Sequence, residues 1–150
     1  MPFSRTKVLT VGVILLRLVL GGIFIYAAYT KLREPWQLFA AGIRSYEVLP
    51  MQAADLLART LPWFELLLGV LLIVGRWLRV STVAVSGLLL VFFTLMVRAH
   101  VKGQTIDCGC FGPGETISWK TLLRDGSMLA GSLVVTLVAF RNRSKRAETA

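Results

Sequence analysis

"VLTVGVILLRLVLGGIFIYAAYT", residues 8–30, is an apolar run broken by a single charge, Arg17. A helix needs ~20 such residues to cross the hydrocarbon core of a bilayer, and this run is long enough. Arg5 and Lys7 precede it, as cations precede the apolar region of a signal peptide. That region, however, extends only ~7–15 residues before a small-residue cleavage site. Here the run continues past Arg17 to Tyr29 without such a site, so it is read as a span that stays in the protein.

Three further runs follow at about 56–75, 80–97 and 121–140. Of 150 residues, 55% are hydrophobic and 17% charged, and the mean hydropathy is +0.68. So little polar surface cannot dress a water-soluble globule. The expected fold is all-α: one integral membrane domain built as a four-helix bundle, with residues 141–150 as a basic tail. A net charge of +9 raises nucleic acid as a partner, since clustered cations bind phosphate. Here the cations cap the apolar runs and line no one face, which argues for topology and against nucleic acid. The bilayer is the expected surrounding.

Cytoplasmic segments carry the excess of Lys and Arg. Arg5 and Lys7, the Arg76–Arg79 turn, and Arg141, Arg143, Lys145 and Arg146 are dense; Lys31, Arg33, Arg44, Lys102 and Lys120 are spread over two longer loops. Both termini are therefore expected inside and both long loops outside, at the plasma membrane of a bacterium. In the first loop, Pro35 is placed to open a short interfacial helix carrying Trp36, Leu38, Phe39, Ile43 and Tyr46, because proline suits a first helical position. Pro50 is placed to open the second long helix, where Asp55 and Arg59 share a face and Pro62 should introduce a kink. Ser118 is a candidate N-cap for the last helix, with Ile117 and Leu122 as its hydrophobic staple. On that helix, Gly126/Ala130 and Ser127/Gly131 are small-residue pairs, read as packing within the bundle.

Charges at membrane depth are expensive and usually face the bundle interior. Arg17 lies about 15 Å beyond Lys7, and Glu65 about 16 Å before Arg76 on a helix running the other way, at 1.5 Å per residue. An Arg17–Glu65 pair near midplane is the expectation. Arg98, Arg124 and Asp125 should collect near the third loop, as an Arg98–Asp125 salt bridge or as cations that favour a thiolate.

That loop holds "IDCGCFG", residues 106–112, with Cys108 and Cys110 the chain's two cysteines. Zinc sites usually separate paired cysteines by two to four residues, so His100, Asp107 and this pair are not read as a metal set. A disulfide between i and i+2 closes a small ring, and Gly109 is the residue that lets the backbone turn. Such a ring is strained, and strained exposed disulfides are labile and oxidising. As a staple it would remove little unfolded-state entropy. With Gly112, Pro113 and Gly114 leaving the sulfurs approachable, thiol–disulfide exchange is the expected chemistry, and Cys108 and Cys110 are the expected catalytic residues.

Arg17 followed by "GGIFIYAAYTKLREP", then "SYEVLP", "LPWFELLLGVLLIVG" and "DCGCFG" resemble the methylamine utilisation MauE family, within the wider DoxX-like membrane proteins, over about residues 12–140. The resemblance implies a bacterial inner-membrane four-helix protein that acts with a periplasmic thioredoxin-like partner in forming or maturing disulfides. It implies Cys108 and Cys110 as the thiol pair, and Arg17, Lys31, Tyr46, Glu65 and Gly69 as motif positions. Membrane enzymes that pass thiol electrons to a quinone commonly relay between two cysteine pairs; this chain has one. A quinone could enter the bundle near Arg17 and Glu65, although no quinone motif is present. The alternatives are a scaffold or chaperone subunit, and a small transporter using the Arg17–Glu65 pair.

Overall fold

The computed structural model describes residues 5–111 and 114–148, with side chains described for 9–111 and 114–141. The chain runs as helices α1 (Arg5–Arg33), α2 (Trp36–Ser45), α3 (Met51–Val74), α4 (Leu78–Val101) and α5 (Trp119–Glu148). Four segments are long and apolar enough to cross a membrane: Leu9–Arg33, Met51–Val74, Leu78–Val101 and Trp119–Arg141. Helix α5 continues through most of the segment expected to be a tail. Gly112 and Pro113, and the side chains of Arg5, Lys7, Arg143, Lys145 and Arg146, lie outside the described residues.

The helix limits have local causes. Pro35 and Pro50, both extended at ψ 129° and 154°, immediately precede α2 and α3. Helix α3 runs on through Pro62. It stops at Gly75, whose φ of +78° is left-handed and open to glycine without steric penalty. At the end of α4, Gly103 N–H donates to His100 O and Gln104 N–H to Ala99 O, both at 3.0 Å. This closing motif satisfies the last carbonyls and uses a left-handed Gly103. Helix α5 opens on reciprocal caps: Thr121 N–H donates to Ser118 Oγ at 3.4 Å, and Ser118 N–H to Thr121 Oγ1 at 2.7 Å.

The long helices close a ring in the order α1, α3, α4, α5. Helices α1 and α3 meet through glycine: a Cβ on Gly21 would stand 2.9 Å from Gly69 O, and one on Gly69 would stand 2.8 Å from Gly21 O. Small residues are what allow such backbone approach. Helices α4 and α5 are joined by Ser86, whose hydroxyl reaches Ser132 Oγ at 3.1 Å and Thr136 Oγ1 at 3.0 Å. Inside lie Leu20, Phe24, Leu68, Leu72, Val85 and Leu129, while Val19, Leu67, Val80, Leu133 and Leu137 face outward. This inverted economy of apolar surface suits a bundle solvated by lipid. On α5, Gly126 lies against Phe93 and Gly131 against Leu16, so both pack within the bundle as expected.

The Arg17–Glu65 pair is not formed. Gly21 lies opposite Gly69, and a Cβ on Gly75 would be 3.0 Å from Arg17 Nη1, so Arg17 is level with the α3 C-terminus. Counting from Lys7 placed the zero of depth too early in α1: the helix carries roughly two and a half extra turns, about 14 Å at 1.5 Å per residue, on the side of the α3–α4 turn. Arg17 lies beside a helix C-terminus, where the helix dipole favours positive charge. Arg17 and Glu65 thus lie at different levels of the bundle.

Candidate functional site

Glu65 is paired with Lys31. The ammonium donates to both carboxylate oxygens, at 2.7 and 2.8 Å, and the two residues are 4% and 5% exposed. In the observed register Ala27 is about level with Glu65, one turn below Lys31. Helical side chains lean toward their own N-terminus, and α1 and α3 are antiparallel, so the two side chains lean toward each other and meet. Phe39 of α2 and Phe92 of α4 flank the ammonium at 5.2 and 5.9 Å from their ring centres.

The short helix of the first loop is present, and it docks on the bundle end. Its Phe39 and Ala40 pack on Ala58 and Leu61 of α3. Arg44 pairs with Asp55, and the Arg59 guanidinium lies 4.0 Å over the Trp36 ring, so the shared face of Asp55 and Arg59 is the one that receives α2.

The cysteine loop folds as a tight hairpin. Asp107 and Thr116 form an antiparallel bridge, Cys108 N–H donates to Glu115 O at 2.8 Å, and Ile117 N–H donates to Ile106 O at 3.0 Å. Tyr46 hydroxyl donates to Cys108 O at 3.2 Å and ties the hairpin to the end of α2. Gly109 has φ +69° and lies on the Phe39 ring, 3.4 Å from where a Cβ would stand. The turn therefore requires glycine, as its position between the cysteines suggested.

Both cysteines are free thiols. They are not approachable in the way the glycine-rich loop led one to expect: Cys108 is 0% exposed, packed with Met96 and Leu122, and Cys110 is half-buried. The cause is the hairpin, which turns the cysteines down onto α4 and α5. Cys108 Sγ lies 3.5 Å from Glu115 Oε2 and 3.9 Å from Arg124 Nη2, and it accepts the Cys110 N–H at 3.4 Å. Cys110 faces inward, where its thiol donates to Asp125 Oδ2 at 3.4 Å and touches Met96 Sδ at 3.9 Å. The Cys110 thiol beside it holds Cys108 below the ordinary thiol range, against burial and the carboxylates of Glu115 and Asp125. The same contact, then burial, then Asp125 push Cys110 well up. Burial first, and then the two cysteines, also raise the Tyr46 phenol.

Arg124 joins the site together. It bonds Glu115 at 2.6 Å and Asp125 at 3.0 Å, and its guanidinium lies 4.5 Å over the Phe111 ring. Phe111 in turn packs on Tyr26 of α1, at 5.9 Å between ring centres. The Arg98–Asp125 bridge is not formed: Arg98 and Lys102 are exposed, while Asp125 sits on the inward face of α5, 4% exposed. His100 stacks on Trp119.

The structure thus brings together Cys108, Cys110, Tyr46, Arg124 and Asp125, with Lys31 and Glu65 beneath them, and leaves Arg17 and Arg98 out. A cavity of ≈ 40 Å³ connects the two groups, lined by Lys31, Glu65, Phe92, Cys110, Phe111 and Asp125. Glu115, Met96, Phe39, Phe92 and Phe111 belong to the site and carried no signal in sequence beyond their proximity to the cysteines or their place on apolar runs.

The family model for methylamine utilisation protein MauE matches residues 8–138. Methylamine utilization protein MauE of Paracoccus denitrificans is 35% identical over 123 residues, covering 80% of this chain and 66% of the relative. The MauE proteins of Paracoccus versutus and Methylorubrum extorquens are 32% and 30% identical, over 79% and 68% of this chain and 64% and 56% of their own lengths. The chain thus spans between about half and two thirds of these curated relatives. No solved structure matches it. With the match running through all four spans and the cysteine hairpin, this multi-pass bacterial membrane protein belongs to the methylamine utilisation protein MauE family.

Proposed function

We propose that the chain is a membrane thiol–disulfide exchange protein of methylamine utilisation, presenting Cys108 and Cys110 on the periplasmic side to a thioredoxin-like partner or to client thiols. The observation that carries this reading is the asymmetry of the pair. Cys108 has a surface-side cation, Arg124, and a lowered pKa; Cys110 faces the bundle interior as a protonated thiol. A thiolate is the attacking form in exchange, and a second thiol close by resolves the mixed disulfide. Cys108 is the attacking sulfur, reached by displacing the half-exposed Arg124–Glu115 pair from the groove lined by Gly114, Thr116 and Lys120. The distribution of cations supports both termini inside.

Trapping tests this. In cells, Cys110→Ser should accumulate a covalent adduct between Cys108 and a periplasmic protein, and Cys108→Ser should accumulate far less. A chain that folds normally in both variants yet captures nothing removes the exchange reading and leaves a scaffold. The transporter alternative has lost its premise, since Arg17 and Glu65 do not meet.

A further inference from the structure

The exchange reading leaves one buried ionisable group without a task, the Lys31–Glu65 pair. It does not touch the sulfurs, yet it shares the ≈ 40 Å³ cavity with Cys110 and Asp125. A second cavity of ≈ 20 Å³, on the other side of Lys31, is lined by Lys31, Glu34, Asp107, Gly109 and Gly42. Lys31 lines both. One water needs about 10–15 Å³ of such space, so the inner cavity has room for a few and the outer for one. Glu34 is exposed at the loop end of the bundle, and Asp107 is partly so. From the inward-facing thiol to solvent, Cys110, Asp125, Glu65 and Lys31 border the inner cavity, otherwise walled by apolar groups such as Phe24, Leu89 and Met128, and Lys31, Glu34 and Asp107 border the outer one.

We propose that Asp125 takes and returns the proton of Cys110 during exchange, and that the Lys31–Glu65 pair passes it between the buried cavity and water at the loop end. The proposal rests on the exchange reading and adds a route for its proton. When Cys108 thiolate attacks a partner disulfide, one sulfur–sulfur bond breaks, another forms, and the first partner sulfur leaves as thiolate. Cys110 then gives its proton to the Asp125 carboxylate. Its thiolate attacks Cys108 Sγ and expels the second partner sulfur. Two electrons have passed from the cysteine pair to the partner. The proton on Asp125 moves to Glu65 through the inner cavity, and Lys31 releases one into the outer cavity, so the pair returns to its starting charge. In the opposite direction Cys110 leaves as thiolate and regains its proton by the same route.

The charged and titratable groups facing Asp125 fit this task. Arg124 on its own helix, 3.0 Å away, holds its carboxylate in place; Cys110 donates to it from the loop; Lys31 of α1 and Glu65 of α3 face it across the cavity; Tyr46 lies nearby, and Glu115 beyond Arg124 balances that cation.

The test uses the full chain in nanodiscs, reduced and then mixed with oxidised glutathione. Mass spectrometry follows two separate steps, addition of glutathione to Cys108 and its release as the Cys108–Cys110 ring closes. Asp125→Asn should leave the addition step near wild type and slow closure at neutral pH by roughly a hundredfold, the lower end of what a positioned proton acceptor contributes. It should also move the pH profile of closure alkaline, and Asp125→Glu should restore it. Lys31→Gln with Glu65→Gln keeps the pair's shape without its charges, and should slow closure with an increased solvent isotope effect. Closure with a wild-type rate and pH profile in either the Asn variant or the double Gln variant overturns the proposal. Failure of the wild type to add glutathione at all is a different result, and it overturns the exchange reading beneath.

Discussion

Lys31→Met gives the sharpest test of how the bundle is held. The ammonium lies 2.7 and 2.8 Å from the two Glu65 oxygens, and both residues are at least nine-tenths buried. Removing one partner of such a pair leaves the other charge uncompensated and costs about 3–5 kcal/mol. At 1.4 kcal/mol per decade that is roughly a 150- to 4,000-fold loss in the folding equilibrium. Glu65→Leu should cost a similar amount, because it strands the ammonium between Phe39 and Phe92. The double variant Lys31→Met with Glu65→Leu removes both charges and fills the space with apolar groups. Replacing a whole buried pair in this way is often neutral or stabilising, so the double should lie within about 1 kcal/mol of wild type. The assay is reversible unfolding in mixed micelles with rising dodecyl sulfate, followed by helix circular dichroism. A double variant as unstable as the sum of the two singles would refute the direct pairing. Arg17→Gln serves as the control: it should add to Glu65→Leu within about 0.5 kcal/mol, the behaviour of residues that do not touch.

Other perturbations read other parts of the molecule. Gly69→Ala would place a Cβ 2.8 Å from the Gly21 carbonyl, which cannot yield without separating α1 from α3; it should lose about 1–3 kcal/mol in the same unfolding assay. Gly22→Ala, with nothing within 4 Å of the new Cβ, should be neutral or gain up to about 1 kcal/mol of helix propensity. A free thiol has a pKa of about 8.5; since Cys108 is lowered and Cys110 raised, a small thiosulfonate should still modify Cys108 as pH falls below that value, while Cys110 stays inert. Site-resolved mass spectrometry that finds Cys110 modified first would reverse the assignment of attacking and resolving sulfurs. Gly109→Ala forces a side chain into φ +69° against the Phe39 ring, a conformation that costs an L residue about 1–2 kcal/mol. The hairpin should loosen, seen as faster labelling of Cys108 by bulky maleimides.

The spans were legible because length and hydropathy alone decide what can cross a bilayer, and Pro35, Pro50 and Ser118 marked helix starts because their backbone chemistry is local. The cysteine pair was legible for the same reason, since Gly109 between the two sulfurs admits one kind of turn. What could not be read was the partner of Glu65. Two cations on α1 were available, Arg17 and Lys31, and the choice depends on how far α1 is shifted along α3. That shift is set by the Gly21–Gly69 contact, a packing event between residues far apart in the chain that leaves no periodic trace. The roof over the thiols was hidden likewise: Phe111 and Glu115 take their roles from Arg124, and Phe39 takes its role from where α2 lands.

The spacing of the cysteines and the depth of the bundle charges belong to one design. In a continuous extended strand, residues i and i+2 point to the same face, and both sulfurs would meet the same surroundings. The left-handed Gly109 breaks that alternation. It leaves Cys108 against Arg124 and Glu115 near the surface groove and turns Cys110 inward to Asp125. The two thiols of a pair separated by one residue thereby acquire different pKa values, different neighbours and different routes of approach. The positive φ at 109 disfavours any larger residue, a Cβ there would touch the Phe39 ring at 3.4 Å, and Phe39 also covers the Lys31 ammonium. One aromatic side chain on the short helix thus borders the thiol turn and shields the ion pair below it from bulk solvent, so Phe39→Ala should disturb both at once: faster labelling of Cys108, and a smaller coupling between Lys31 and Glu65 as bulk water replaces the ring. A change in one without the other would mean that the two sites are built independently.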